Sequence, residues 1–306
     1  MQIFSRPRRV PGVVCVLILL AMAPTMSRAW EHTTVAGAGG VPLSVLEAGD
    51  PSGPEILFIH GMSQSALAWL PQLRSSLGAR YRLVAFDLRG HGGSGKPWRA
   101  EDYSDSKIWA DDIAAVIAAK NLMRPVIVAW SYGGHALLSY VRHYGTSHIG
   151  AIDFTGTLAG LVPVERKPSP ETERLLAGSK LRSSRDLLEN IEGYRAMARG
   201  LSAHPLPKEL EEIAFLTGLM QPSYVRRAMT QLPLHNEDLA DKIDVPVLIS
   251  VGSGDREWPL ERCRAAAAML PHARLSVYDG FGHFPSAEAP ERFNRELEGL
   301  VHEIAP

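Results

Sequence analysis

Arg124-Pro125-Val126-Ile127-Val128-Ala129-Trp130-Ser131-Tyr132-Gly133-Gly134 is the stretch on which the reading of this chain turns. A short β-branched run leads into a turn of small residues with one serine at its apex. A helix-permissive stretch, His135-Ala136-Leu137-Leu138-Ser139-Tyr140, follows at once. A strand–turn–helix of this kind is so tight that the serine is forced into a strained dihedral, tolerable only where its neighbours carry little or no Cβ. Gly133 and Gly134 supply that room, and Ala129 stands where the usual G-x-S-x-G pattern has glycine, the mildest steric departure. Small-Ser-small sequences are common, so the weight of the match rests on whether a serine's partners occur elsewhere in the right order.

Working outward, strand-like pieces lie at Thr33–Ala36 and Val41–Glu47, joined by a glycine-rich turn. Continuous apolar runs at 54–60, 81–86, 126–130, 149–154, 245–251 and 274–278 have the composition of strands buried on both faces. Helical patterns fall between them at 65–77, 106–120, 259–270 and 290–304. This alternation predicts an α/β fold with a mostly parallel, doubly wound sheet. Its rhythm breaks over about 161–241, a stretch with no buried-strand run and with prolines at 163, 168, 170, 205, 207, 222 and 233. That segment reads as a helical insertion between two strands.

A serine hydroxyl is a poor nucleophile at neutral pH and needs a base, which in turn needs an acid to fix its tautomer. In open α/β sheets ligands bind beyond the carboxyl ends of strands, so the partners are sought there. Asp255, in Gly252-Ser253-Gly254-Asp255, follows one late strand; His283, in Asp279-Gly280-Phe281-Gly282-His283-Phe284, follows the next. With Ser131 they give the chain order Ser…Asp…His.

With these residues in place the chain resembles an α/β-hydrolase, of the subgroup with a helical cap between strands 6 and 7 of the core. The resemblance rests on His60-Gly61-Met62, Asp87-Leu88-Arg89-Gly90-His91-Gly92-Gly93-Ser94, the serine turn, Gly-x-Gly-Asp and Gly-His-Phe, spread over about residues 33–304. Each motif alone is weak; five in order, each at a strand end, are not. The resemblance implies that Ser131 attacks an acyl carbonyl, that His283 relays its proton and that Asp255 orients His283. It further implies an oxyanion hole of the backbone N–H groups of Met62 and Tyr132. It implies no cofactor, and a small-molecule substrate in the form of a small or medium ester or related acyl bond. The same triad serves C–C bond hydrolases acting on vinylogous diketones and cofactor-free perhydrolases of the haloperoxidase type. A ligand-binding protein with a dormant triad is the reading from another class. Serine at the apex departs from the aspartate of haloalkane dehalogenases and epoxide hydrolases of this fold.

Each residue also has a plainer reading. Asp255 could cap the helix near Pro259, and Asp153, inside its apolar strand, is the rival acid. His60 and His91 precede glycines in turns and suit loop-stabilising hydrogen bonds better than base chemistry. His135, His143, His148, His204, His235 and His272 lack a zinc-ligand spacing, so no metal is expected. The glycine loop at 90–95 lacks P-loop spacing. Trp69, Trp130 and Trp258 lie beside the expected site and could shape a substrate pocket, with core packing as the alternative.

Composition sets the outer bounds. The 306 residues, 45% hydrophobic, suit one large domain carrying an insertion. Arg6, Arg8 and Arg9, an apolar run at 13–23 and Ser27-Arg28-Ala29 read as a secretory signal over residues 1–29, with an uncleaved N-terminal anchor as the alternative. The apolar run is about half the ~20 residues a membrane span needs, so no stable span is expected after cleavage near Ala29. The protein is then expected to be exported, periplasmic or secreted. Loss of four arginines moves the formal charge from −1 to −5, and no basic run occurs, which excludes an electrostatic footprint for nucleic acid. Cys15 would leave with the signal, so Cys263 remains as a lone, buried-type thiol without a disulfide partner.

Overall fold

Apolar runs become strands shielded on both faces, and the turns after them converge on one rim. The computed structural model describes residues 30–162, 170–233 and 235–304, with the backbone alone over 170–176. The expected signal (1–29) and Pro163 and Pro168 lie outside the described residues. In chain order come β1 (Glu31–Ala36), β2 (Pro42–Gly49), β3 (Glu55–Ile59), helix α1 (Leu70–Leu73), β4 (Arg82–Phe86), α2 (Glu101–Ser104) and α3 (Ser106–Ala119). Next are β5 (Val126–Trp130), α4 (Tyr132–Tyr144) and β6 (Ala151–Thr155). Four helices follow, α5 (Pro170–Ser183), α6 (Leu187–Gly200), α7 (Lys208–Met220) and α8 (Ser223–Met229). The chain then returns to the core with β7 (Val247–Gly252), α9 (Leu260–Met269), β8 (Ala273–Tyr278), α10 (Pro285–Glu288) and α11 (Pro290–Ile304).

Among the described residues eight strands form one sheet in the order β1-β2-β4-β3-β5-β6-β7-β8. Strand β2 is antiparallel to both β1 and β4; every other pairing is parallel. The expected doubly wound sheet is therefore present, and the helices between β6 and β7 form the expected cap. Register places Ile59 opposite Ala129 and Trp130 opposite Thr155, so the loops after β3, β5 and β6 leave the sheet side by side.

Period-two alternation divides the core. Ile56, Phe58, Val126 and Val128 pack with Trp69 and Leu70 and with Phe293, Leu297 and Leu300 of α11. Leu57, Ile59, Ile127 and Ala129 pack with Trp109 and Ile113 of α3 and with Leu137 and Leu138 of α4. Each large apolar side chain buried this way contributes about 1.5–3 kcal/mol. The α11 stripe of Phe293, Leu297, Leu300 and Val301 has the i, i+4, i+7, i+8 spacing of a helix with one buried face.

The helix expected over 65–77 is not continuous. Only Leu70–Leu73 is α-helical, flanked by 3₁₀ turns at Ala66–Trp69 and Ser76–Ala79. Pro71 enters at the first turn without an N–H to give. Ser75 then ends the helix: its hydroxyl donates to Gln72 O at 2.7 Å and accepts from Leu77 N at 3.2 Å. Among the described residues no helix is long and apolar enough to cross a membrane.

Candidate active site

Ser131 sits between β5 and α4 with φ 53° and ψ −121°, in the left-handed half of backbone space. For a residue with a Cβ this costs about 1–3 kcal/mol, and the surroundings over-determine it. Its N–H donates to Thr155 O at 3.0 Å. On the helix side, a Cβ at residue 133 would stand 2.6 Å from Ile59 O and 2.8 Å from His60 O, so only glycine lets α4 start against the end of β3. Residue 61 is constrained from the other direction, because a Cβ there would lie 3.0 Å from Ser131 Cβ.

The structure brings Ser131, His283 and Asp255 together. Ser131 Oγ donates to His283 Nε2 at 3.0 Å, and His283 Nδ1–H donates to Asp255 Oδ2 at 2.9 Å. Asp255 Oδ1 accepts from Glu257 N at 2.8 Å and Trp258 N at 3.4 Å, so the carboxylate caps its own loop while facing the imidazole. Asp153, the rival acid, is buried within β6 and accepts from Thr155 Oγ1 and Ser250 Oγ instead. Burial foremost lifts its carboxyl to about 7.

Burial pushes the His283 imidazole down. The charge of Asp255, then that of Glu257, the Asp255 hydrogen bond and Glu288 together outweigh it and carry the group up to about 9. Glu257 Oε2 lies 3.8 Å from His283 Nε2, on the opposite side of the ring from Asp255.

The His283 loop is held from two sides. Trp130 Nε1 donates to His283 O at 2.9 Å, and its ring stacks on Phe284 with centroids 3.9 Å apart and planes 4° from parallel. Glu288, with a side chain 1% exposed, accepts from Gly282 N at 2.9 Å, and from Ala203 N and His204 N of the cap at 2.8 and 3.1 Å. One buried carboxylate thus stitches the cap to the histidine loop. Nothing in the sequence marked it, because Glu288 reads as the exposed acid of a helix start.

A cavity of about 270 Å³ opens at Ser131. Met62, Tyr132 and His135 line its core side, Trp130, Trp258 and His283 its strand-end side, and Arg182, Met197, Leu201 and Arg226 its cap side. Met62 and Tyr132 therefore both border the serine, with Tyr132 N–H in the first turn of α4, where backbone donors are free of helical partners. Trp130 and Trp258 border the cavity as expected. Trp69 does not: it is fully buried between Phe58, at 4.9 Å, and Phe293, at 6.4 Å, on the far face of the sheet. The 3₁₀ turn at Ala66–Trp69 rotates it inward.

His60 and His91 are neutral loop staples. His60 Nδ1–H donates to Gly61 O at 2.7 Å while Nε2 accepts from Leu88 N at 3.0 Å, and burial lowers its basicity. His91 Nδ1–H donates to Arg89 O and Nε2 accepts from Gln221 Nε2 of the cap, at 2.9 and 2.7 Å. Burial and then the neighbouring His60 hold it well below its ordinary value. The thiol of Cys263 is pushed up to about 12, first by burial and then by Asp255.

A family model described as "Alpha/beta hydrolase family" matches residues 56–296. The crystal structure of a putative aryl esterase from Burkholderia cenocepacia superposes with a TM-score of 0.82 at 33% identity, covering 90% of this chain and 99% of that one. The esterase RhEst1 from Rhodococcus sp. ECU1013 superposes with a TM-score of 0.80 at 28% identity, covering 90% and 99%. In sequence, a non-heme chloroperoxidase of Kitasatospora aureofaciens is 28% identical over 263 residues, 80% of this chain and 91% of the relative.

Proposed function

The chain belongs to the alpha/beta hydrolase family, and from that premise we propose that it is a serine hydrolase cleaving small or medium carboxylic esters through an acyl-enzyme. The observation that carries this reading is the unbroken relay from Ser131 Oγ through His283 to Asp255, at 3.0 and 2.9 Å, on a backbone strained at the serine. Ser131 Oγ adds to the ester carbonyl while its proton passes to His283 Nε2, and Asp255 stabilises the resulting imidazolium. The oxyanion is received by the N–H groups of Met62 and Tyr132, the second at the positive end of α4. His283 returns the proton to the departing alcohol. Water then repeats the sequence on the acyl-enzyme and releases the acid.

Replacing Ser131 with alanine should abolish hydrolysis of p-nitrophenyl acetate and butyrate; unchanged turnover refutes the assignment. Fluorophosphonate labelling separates a dormant triad from an active one, because only an activated serine is modified. The likeness to a chloroperoxidase favours a second reading on the same residues, in which hydrogen peroxide replaces water as acyl acceptor and a peracid leaves. Peracid formed from acetate and peroxide, and absent in the Ser131→Ala variant, would establish it. For location we propose export with cleavage after Ala29; an intact-mass measurement of the secreted or periplasmic protein should give a chain beginning at Trp30.

A further inference from the structure

Among the described residues, the cap wall of the cavity holds two guanidinium groups without a carboxylate ion pair. Arg226 of α8 is 6% exposed. Its Nη1 donates to Ser63 Oγ at 2.9 Å and its Nη2 to Ser179 Oγ at 3.1 Å, both neutral, and its Nε is buried with no acceptor. Arg182, at the end of α5, also has a buried Nε without a partner, and no hydrogen bond or ion pair engages its guanidinium among the described residues. Its stem is seated by design of the helix pair: a Cβ at Gly193 of α6 would stand 3.0 Å from Arg182 Cγ, and one at Gly178 would stand 3.3 Å from Arg182 Nη1. Burial foremost, and next the charge of Arg182, push Arg226 down to about 10.

A buried cation without a counter-ion is costly, and two facing one cavity repel each other. Among the described residues Glu257 is the one acidic side chain that borders the same cavity; its charge is felt by both arginines, but it is 47% exposed at the rim beside His283 and forms no ion pair with either. Asp255 is engaged by His283. The chain thus maintains an excess of positive charge within a 270 Å³ space that opens on Ser131. Such forked donors are matched by a planar carboxylate, which can take two N–H groups at once.

We propose that Arg182 and Arg226 form an anion subsite, so that the substrate carries a free carboxylate in addition to the ester cleaved at Ser131. This rests on the hydrolase reading of the same cavity and narrows its substrate class. The carboxylate can belong to the acid half, as in a dicarboxylic hemiester, or to the alcohol half, as in an acyloxybenzoate. In either case it occupies the cap side while the carbonyl lies between Ser131 and the N–H groups of Met62 and Tyr132.

Two experiments test it. In the first, kcat/KM is measured for mono(4-nitrophenyl) glutarate against 4-nitrophenyl pentanoate, and for 3-acetoxybenzoate against phenyl acetate. At least one anionic member should exceed its neutral counterpart. That ratio should fall about tenfold or more in Arg182→Gln, the scale of one charge-assisted hydrogen bond. Turnover of the neutral esters with no preference in either pair overturns the subsite and leaves the hydrolase reading standing.

The second uses the wild-type protein and needs neither turnover nor a variant that folds. Calorimetric titration with glutarate and benzoate, against glutaramide and benzamide, should show binding of at least one acid in preference to its amide. Equal or absent binding overturns the proposal, as does phenyl phosphate binding more tightly than benzoate. Carboxylate binding without turnover of any ester would retain the subsite and remove the hydrolase reading.

Discussion

Ser131 holds a dihedral that its own Cβ resists, a cost carried by the packing around it. Ser131→Gly should therefore be inactive yet more stable, by about 1 kcal/mol once glycine's larger unfolded-state entropy is subtracted from the relieved strain; denaturant titration checks it. The lifted imidazole sets a second expectation. A base must be neutral to act, so kcat/KM should rise with pH through about 9 in the free enzyme, while the stability owed to the protonated ring is present below 6.5 and lost as pH climbs through about 9. Glu257→Gln removes one of the charges that raise it, and the limb of the pH–rate profile should move to lower pH. Asp255→Asn should lower kcat on the order of 10³–10⁴-fold, because the imidazole loses its tautomer-fixing acceptor. At this scale Ser131, Asp255 and His283 could be read from the sequence because each ends a strand in a small-residue turn. Arg182, Arg226 and Glu257 could not, since an arginine in an amphipathic helix or an acid after a turn looks the same whether it meets solvent or a cavity.

Elements followed the sequence where burial is two-sided. The strand ends lie within two residues of those expected from apolar runs, because a one-residue slip would turn every side chain of β3 or β5 to the other face. The stretch at 65–77 failed for a local reason: its apolar spacing suits a helix, but Pro71 and the Ser75 hydroxyl break it into three short turns. That break is what carried Trp69 away from the cavity. The junction of β5 and α4 is tight, and its glycine admits no substitute. Gly133→Ala would press a methyl against the carbonyls of Ile59 and His60, which belong to backbone and cannot swing aside. It should destabilise by about 1–3 kcal/mol, the usual cost of overpacking, and thermal unfolding would register the loss.

Across the whole molecule, the cap is tied to the histidine loop by a joint that the sequence did not announce. The insertion was recognisable because strand runs cease and prolines accumulate, but which cap residues face the serine depends on helix rotation, to which ordinary composition is indifferent. Glu288 makes the joint, accepting three backbone N–H groups from two otherwise separate segments. Glu288→Ala would leave the partly buried Gly282 N–H without its acceptor, a penalty of about 1–3 kcal/mol, while the exposed Ala203 and His204 N–H groups could turn to water. Turnover should fall and KM rise together, since both the histidine loop and the cap lose their anchor; steady-state kinetics with a melting curve would show the two effects in one variant.

The same carboxylate has a temporal consequence. If the helices over the serine swing outward to admit a molecule, they pull on the segment that carries the imidazole, so a gaping protein is also a disarmed one. Under the proposed hydrolase reading, admission and bond cleavage would then alternate.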